Sequence, residues 1–184
     1  MPSLGIAEPW RGFLTRCDEA CQITVELHCF GGFVVTQRYG LSRATRDVDV
    51  LSVRPRGLSQ HLLDFAGRGS ALHRQYGVYL DLVTIATVPE DYDHRLSEMF
   101  AGGFQYLRLF ALDAYDLALA KLERNLQHDR EDVKYLARTI PFDLGLLRER
   151  YERELRPYLG NPAREDLTLR LWIEAIEEEQ GRLL

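Results

Sequence analysis

The sequence predicts an α/β core over residues 1–110 followed by a helical region over 111–184. Through residue 110, short runs rich in β-branched and apolar residues alternate with segments of helical period, as in α/β proteins. Beyond that point every periodic segment is helical. Size and composition agree: 184 residues, 46% hydrophobic and 28% charged, suit one domain or a domain with a helical extension. No flexible Gly/Ser linker separates the two parts, so they are expected to pack together.

The first element expected is a helix over 8–21. Trp10, Phe13, Leu14 and Cys17 recur on one face, with Arg11, Arg16, Asp18 and Glu19 on the other. Residues 23–30 suit a strand, with Val25 and Leu27 on one face and Glu26 and His28 on the opposite one. Gly31 and Gly32 end it, and residues 33–39 suit a short helix closed by Gly40. Glycine at this place permits unusual backbone angles and close approach of a ligand to the main chain. The helix start turns amides toward the gap, a natural seat for phosphate. A polar connection carrying Arg43 and Arg46 leads into a second strand over 47–53, which Pro55 and Gly57 break.

A helix is expected from Leu58 to about Gln75, with Leu58, Leu62, Phe65 and Ala66 facing the core and Gly67, Gly69 and Ser70 placed to interrupt it. A third strand is expected over 78–88. Residues 90–103 are polar and read as a loop or short helix, and 104–110 as a further strand. Asp113 is placed to cap a helix reaching about residue 126. Further helices are expected over 128–138, 142–158 and 162–181, punctuated by Pro141, Pro157, Gly160 and Pro162.

The chemistry concentrates on the second strand. In a strand, Asp47 and Asp49 point one way and Val48 and Val50 the other. Adjacent carboxylates repel, and a divalent cation between them resolves the repulsion. The alternative is a polar edge strand with two solvated acids. Asp81, on the third strand, shares a face with Tyr79, Val83 and Ile85. A lone acid on an apolar strand either reaches solvent at an edge or faces the same metal as Asp47 and Asp49. Burying it without a partner is costly, so the apolar setting favours the metal.

The net charge of −5 argues against broad, nonspecific nucleic-acid binding but leaves room for a local basic pocket for a phosphate-bearing ligand. No run of about 18 apolar residues exists, so no membrane span is expected. The N-terminus lacks the basic-then-apolar pattern of a signal peptide. Cys17, Cys21 and Cys29 form an odd set without a Cys-x-x-Cys, which suits reduced thiols and a cytoplasmic location.

Strand, Gly31–Gly32, short helix, Asp47–Val48–Asp49 and a third acid on a later strand together resemble the nucleotidyltransferase superfamily. Within it, the best likeness is to the AbiEii-type toxin nucleotidyltransferases and related uncharacterised bacterial domains. Asp116–Leu117–Ala118–Leu119–Ala120–Lys121–Leu122, followed by Asp129–Arg130–Glu131–Asp132–Val133, adds to it, since such families follow a lysine-bearing helix with a similar acidic segment. The likeness covers roughly residues 23–137.

The resemblance implies a mixed sheet with flanking helices and a phosphoryl-transfer site. Asp47, Asp49 and Asp81 would hold Mg²⁺ or Mn²⁺, with Asp81 also serving as the base. Gly31 and Gly32 would admit the NTP triphosphate, and Lys121, Arg43 and Arg46 would neutralise its charge. Phe33, Val34 and Val35 stand where relatives carry small or polar residues, which leaves Thr36 to supply the hydroxyl. The implied activity is metal-dependent transfer of a nucleotide to an acceptor: tRNA, other RNA, a protein or a small molecule. An antitoxin protein is the implied partner. A non-catalytic member of the fold that binds a partner through Leu169, Trp172 and Ile173 is the alternative.

Overall fold

The computed structural model describes residues 5–182. They form two compact units, one of residues up to 84 together with 96–112, the other of residues 85–95 and those from 113 onward.

The first unit is built on a five-stranded mixed sheet in the order β3-β2-β1-β5-β4. Its strands are β1 (Val25–Phe30), β2 (Asp47–Arg54), β3 (Tyr79–Leu82), β4 (Ser97–Met99) and β5 (Leu107–Ala111). β1 is central, antiparallel to β2 and parallel to β5; β3 adds to β2 in parallel. Helix α1 (Trp10–Ala20) buries Trp10, Phe13, Leu14 and Cys17, the stripe its period predicts. Near the end of α1, the Asp18 carboxylate accepts the backbone N–H groups of Gln105, Tyr106 and Leu107 at 3.0, 2.7 and 2.8 Å, fixing the entry to β5.

β2 contains a bulge. His28 pairs with Ser52 and Cys29 with Val50, so Leu51 is an extra residue with no partner across the ladder. The extra residue shifts the alternation: Val48 and Val50 are buried before it and Val53 after it. β3 pairs with Asp47 to Val50 only, and its last rung is the Val83 N–H to the Val50 carbonyl, 2.9 Å. The strand therefore ends at Leu82 rather than 88, because the bulged half of β2 offers no further rungs.

Helix α2 (Gly31–Tyr39) starts at the first glycine, two residues earlier than its pattern suggests, and closes at Gly40 in the left-handed region, φ 80°. The helix expected over 58–75 is two, α3 (Ser59–Ala66) and α4 (Ala71–Tyr76). Gly67 separates them, pairing with Leu80 in a single bridge. The segment read as loop over 90–103 contains β4, a strand too short and polar to show a period.

The second unit contains α5 (Ala114–Leu119), α6 (Gln127–Thr139), α7 (Leu144–Arg150) and α8 (Pro162–Gly181). The single helix expected over 142–158 is α7 followed by a wider π turn at Tyr151–Leu155 and a tight turn at Arg156–Tyr158, where Pro157 lacks the N–H to continue. Leu169, Trp172 and Ile173 are buried. They belong to the interior of the helical unit and form no exposed partner surface. Among the described residues no helix is long and apolar enough to cross a membrane.

Candidate active site

The parallel pairing of β2 with β3 sets Asp47 opposite Tyr79 and Asp49 opposite Asp81. Asp49 and Asp81 are therefore cross-strand neighbours on one face, with Asp47 two residues along on that face. All three are half-buried, and each offers a carboxylate oxygen within 4.8 Å of the other two. At such separations like charges repel by about 3 kcal/mol per pair in a surface-like dielectric.

Glycine is required where this cluster meets α2. The last residue of β1, Phe30, pairs with Asp49, so Gly31 abuts that carboxylate. Gly31 has φ +69°, and a Cβ there would lie 1.9 Å from Asp49 Oδ2. A side chain there would be strained by the backbone angle and would displace the Asp49 carboxylate. A Cβ on Gly32 would lie 3.0 Å from Arg43 Nη2 and 3.4 Å from Thr45 Oγ1, so a guanidinium and a hydroxyl border the start of α2.

Asp47 is held from both sides. Thr45 Oγ1 donates to Oδ1 at 3.3 Å, and the Tyr79 hydroxyl donates to Oδ2 at 3.3 Å. Burial pushes the Tyr79 phenol above its ordinary value, which keeps it a donor. Arg68, in the connection between α3 and α4, donates to the Tyr79 oxygen and lies over its ring, 4.8 Å from the centroid. Its bond to Tyr79, and then the fields of Asp81 and Asp47, raise the Arg68 pKa further.

Of the residues singled out in the sequence, Gly31, Gly32, Arg43, Asp47, Asp49 and Asp81 come together. Thr36 uses its hydroxyl inside α2, donating to the Phe33 carbonyl at 3.0 Å. Arg46 is exposed, and its carbonyl accepts the Tyr79 N–H at 3.0 Å. Lys121 belongs to the helical unit, where it is buried with Nζ 2.9 Å from Asp132 Oδ2 and 3.4 Å from Asp129 Oδ1. Its charge is already balanced there. Thr45, Arg68 and Tyr79 were missed. Tyr79 could have been found from the face it shares with Asp81, whereas Arg68 carries no local signal.

The donor set is three carboxylates, hard oxygen ligands of the kind Mg²⁺ and Mn²⁺ take, with no thiol or imidazole to select a softer ion. The missing side chain at Gly31 leaves the Asp49 carboxylate its place, so the residues present fit such an ion. An apolar cavity of about 390 Å³, lined by Cys21, Ile23, Leu58, His61 and Phe65 among others, lies near the opposite end of β1 and includes none of these residues.

An Asp-x-Asp strand beside a third acidic strand in a mixed α/β sheet, with a diglycine helix start against them, defines a nucleotidyltransferase-superfamily domain. The chain belongs to a family described as nucleotidyltransferases of unknown function (DUF6036), whose model matches residues 18–179. No curated protein and no solved structure matches the chain.

Proposed function

We propose that the protein is a Mg²⁺- or Mn²⁺-dependent nucleotidyltransferase that moves a nucleotide from an NTP to an acceptor. The observation that carries this reading is the convergence of Asp47, Asp49 and Asp81 within 4.8 Å, against a glycine whose Cβ would displace the Asp49 carboxylate. Gathered carboxylates repel one another, and a divalent cation among them relieves the repulsion. A bound divalent ion would supply Lewis-acid stabilisation of the charge that develops on the phosphate oxygens.

The chain's own groups account for the rest. The amides of Gly31 and Gly32 at the start of α2 and the Arg43 guanidinium receive the triphosphate, with Arg46 exposed nearby in sequence. The acceptor's oxygen or nitrogen forms a bond to the α-phosphorus, the bond from that phosphorus to the β-phosphate bridging oxygen breaks, and pyrophosphate leaves. The acceptor's proton passes to the Asp81 carboxylate. Thr36 and Lys121 take no part, because their polar groups are engaged within α2 and within the helical unit. The overall negative charge and the glutamates at 174, 177, 178 and 179 favour a protein or small-molecule acceptor over long RNA. The likeness to AbiEii-type proteins extends the reading to a toxin restrained by an antitoxin. The partner-binding alternative loses the surface first suggested for it, since Leu169, Trp172 and Ile173 are buried.

The test is incubation with each α-labelled NTP, Mg²⁺ and a cell lysate, comparing the wild type with an Asp47→Asn/Asp49→Asn double variant. Label should pass to an acceptor with release of pyrophosphate, and the variant should lose about 10³-fold in rate, several kcal/mol of transition-state stabilisation. Equal labelling by the variant, or no transfer from any NTP, sinks the assignment.

A further inference from the structure

Resting on the metal-binding reading above, we infer that Tyr79 and Arg68 are a positioning pair that holds the Asp47 carboxylate in its metal-binding orientation. Asp47 sits beside two groups of its own charge, and two soft torsions leave it free to turn away from them. Two hydroxyls oppose that rotation, Thr45 at one oxygen and Tyr79 at the other. Both bonds, at 3.3 Å, are longer than the usual O–H···O spacing, so they orient the group more than they bind it.

Tyr79 is a rigid donor. It is buried in β3, where the sheet fixes its backbone opposite Asp47. Its ring meets His73 edge-on at 4.9 Å, and His73 is itself held by the Gly69 N–H, which donates to its Nδ1 at 2.9 Å. Arg68 covers the other contact: its guanidinium lies over the ring and donates to the phenol oxygen. A donor on that oxygen polarises the O–H and strengthens what it gives to Asp47. Partners that orient a metal's carboxylate ligands typically account for 10–100-fold in metal affinity.

Arg68 allows a test of sign. As a cation beside the acidic cluster, it disfavours a metal ion by charge alone, so its removal would tighten binding. As part of a positioning pair, its removal loosens binding. Mn²⁺ alone, titrated into the full chain and followed by the electron paramagnetic resonance of the free ion, measures the affinity without reference to turnover. Tyr79→Phe keeps the ring and its packing, and Arg68→Met keeps the stem of an exposed side chain. At unchanged melting temperature, Tyr79→Phe should raise the Mn²⁺ Kd about tenfold, and Arg68→Met should raise it by less. Asp49→Asn should abolish binding.

A Tyr79→Phe Kd within twofold of the wild type overturns the inference while leaving the proposed function standing. Tighter or unchanged binding by Arg68→Met removes Arg68 from the pair. If the wild type binds no Mn²⁺, the functional reading fails and the inference falls with it.

Discussion

The two units treat buried acid in opposite ways. In the helical unit, Asp116, Asp129 and Asp132 are fully buried, and each meets cations. Arg95 takes both oxygens of Asp116 at 2.9 and 3.0 Å, with Arg150 at 3.1 Å; Lys121 bonds Asp129 and Asp132, and Arg124 bonds Asp129 at 2.9 Å. In the sheet unit, Asp47, Asp49 and Asp81 are only half-buried and face one another, and Arg68 reaches the cluster through Tyr79. Charges matched in this way hold a fold together, because an ion removed from water must find its counter-ion inside. Like charges gathered at a half-open face repel one another, and a divalent cation among them would relieve that repulsion.

Removing one charge from each cluster separates the two most sharply. Lys121→Met takes away the cation that two buried carboxylates share, and should cost about 3–5 kcal/mol in urea unfolding. Asp49→Asn removes one of three neighbouring like charges, and in the same measurement should cost much less than Lys121→Met. A reversal of that order would erase the distinction between the clusters.

A backbone substitution probes the acidic face next. Gly31→Ala should cost about 1–2 kcal/mol for its left-handed angle, and because the new Cβ falls 1.9 Å from Asp49 Oδ2, it should also abolish Mn²⁺ binding. Gly32→Ala, whose Cβ comes nearest the flexible end of Arg43 at 3.0 Å and touches Thr45 Oγ1 at 3.4 Å, should be milder on both counts. Equal behaviour of the two variants would show that Asp49 yields easily.

The smallest effect is a pH dependence. Burial works to raise the Asp129 pKa, but the bond from Arg124 and the field of Lys121 prevail and hold it below its ordinary value. Its stabilisation is present above the unfolded pKa and is lost as pH falls through the folded one. Asp116 has the opposite sign: burial outweighs Arg95 and raises its pKa, so its contribution falls as pH rises through that range. The melting-temperature gap between wild type and Asp129→Asn should therefore narrow as pH drops below the usual carboxylate range. A constant gap would show that Asp129 is not coupled to its cations.

The acidic site was legible because its signal is local. The alternation of Asp47 and Asp49 on one strand and a lone acid on an apolar strand require no knowledge of register; the pairing of Asp49 with Asp81 emerges only from the sheet. The diglycine was equally visible, though its reason, the carboxylate lying against Gly31, was not. What stayed hidden depends on contacts between distant residues. The bond from Tyr79 to Asp47 exists only once β3 is laid beside β2, and Arg68 matters only once its loop folds over Tyr79; Thr45, two residues from Asp47, is local. The ion pairs of Lys121, expected as a phosphate partner, with Asp129 and Asp132 were not visible in the sequence either. β3 looked longer than it is because its apolar run continues past the last rung β2 can offer.

The extra residue at Leu51 gives β2 a phase change. Val48 and Val50 keep one parity and Val53 the other, so the inward row is continuous in space but broken in sequence. The direction of Asp47 and Asp49 is thereby set by the buried Val48 and Val50 that alternate with them and independently of the phase at Val53. Aligning this strand with a relative that lacks the bulge requires a one-residue gap at Leu51, and a motif written with fixed spacing across that position will put its acids or its valines on the wrong side.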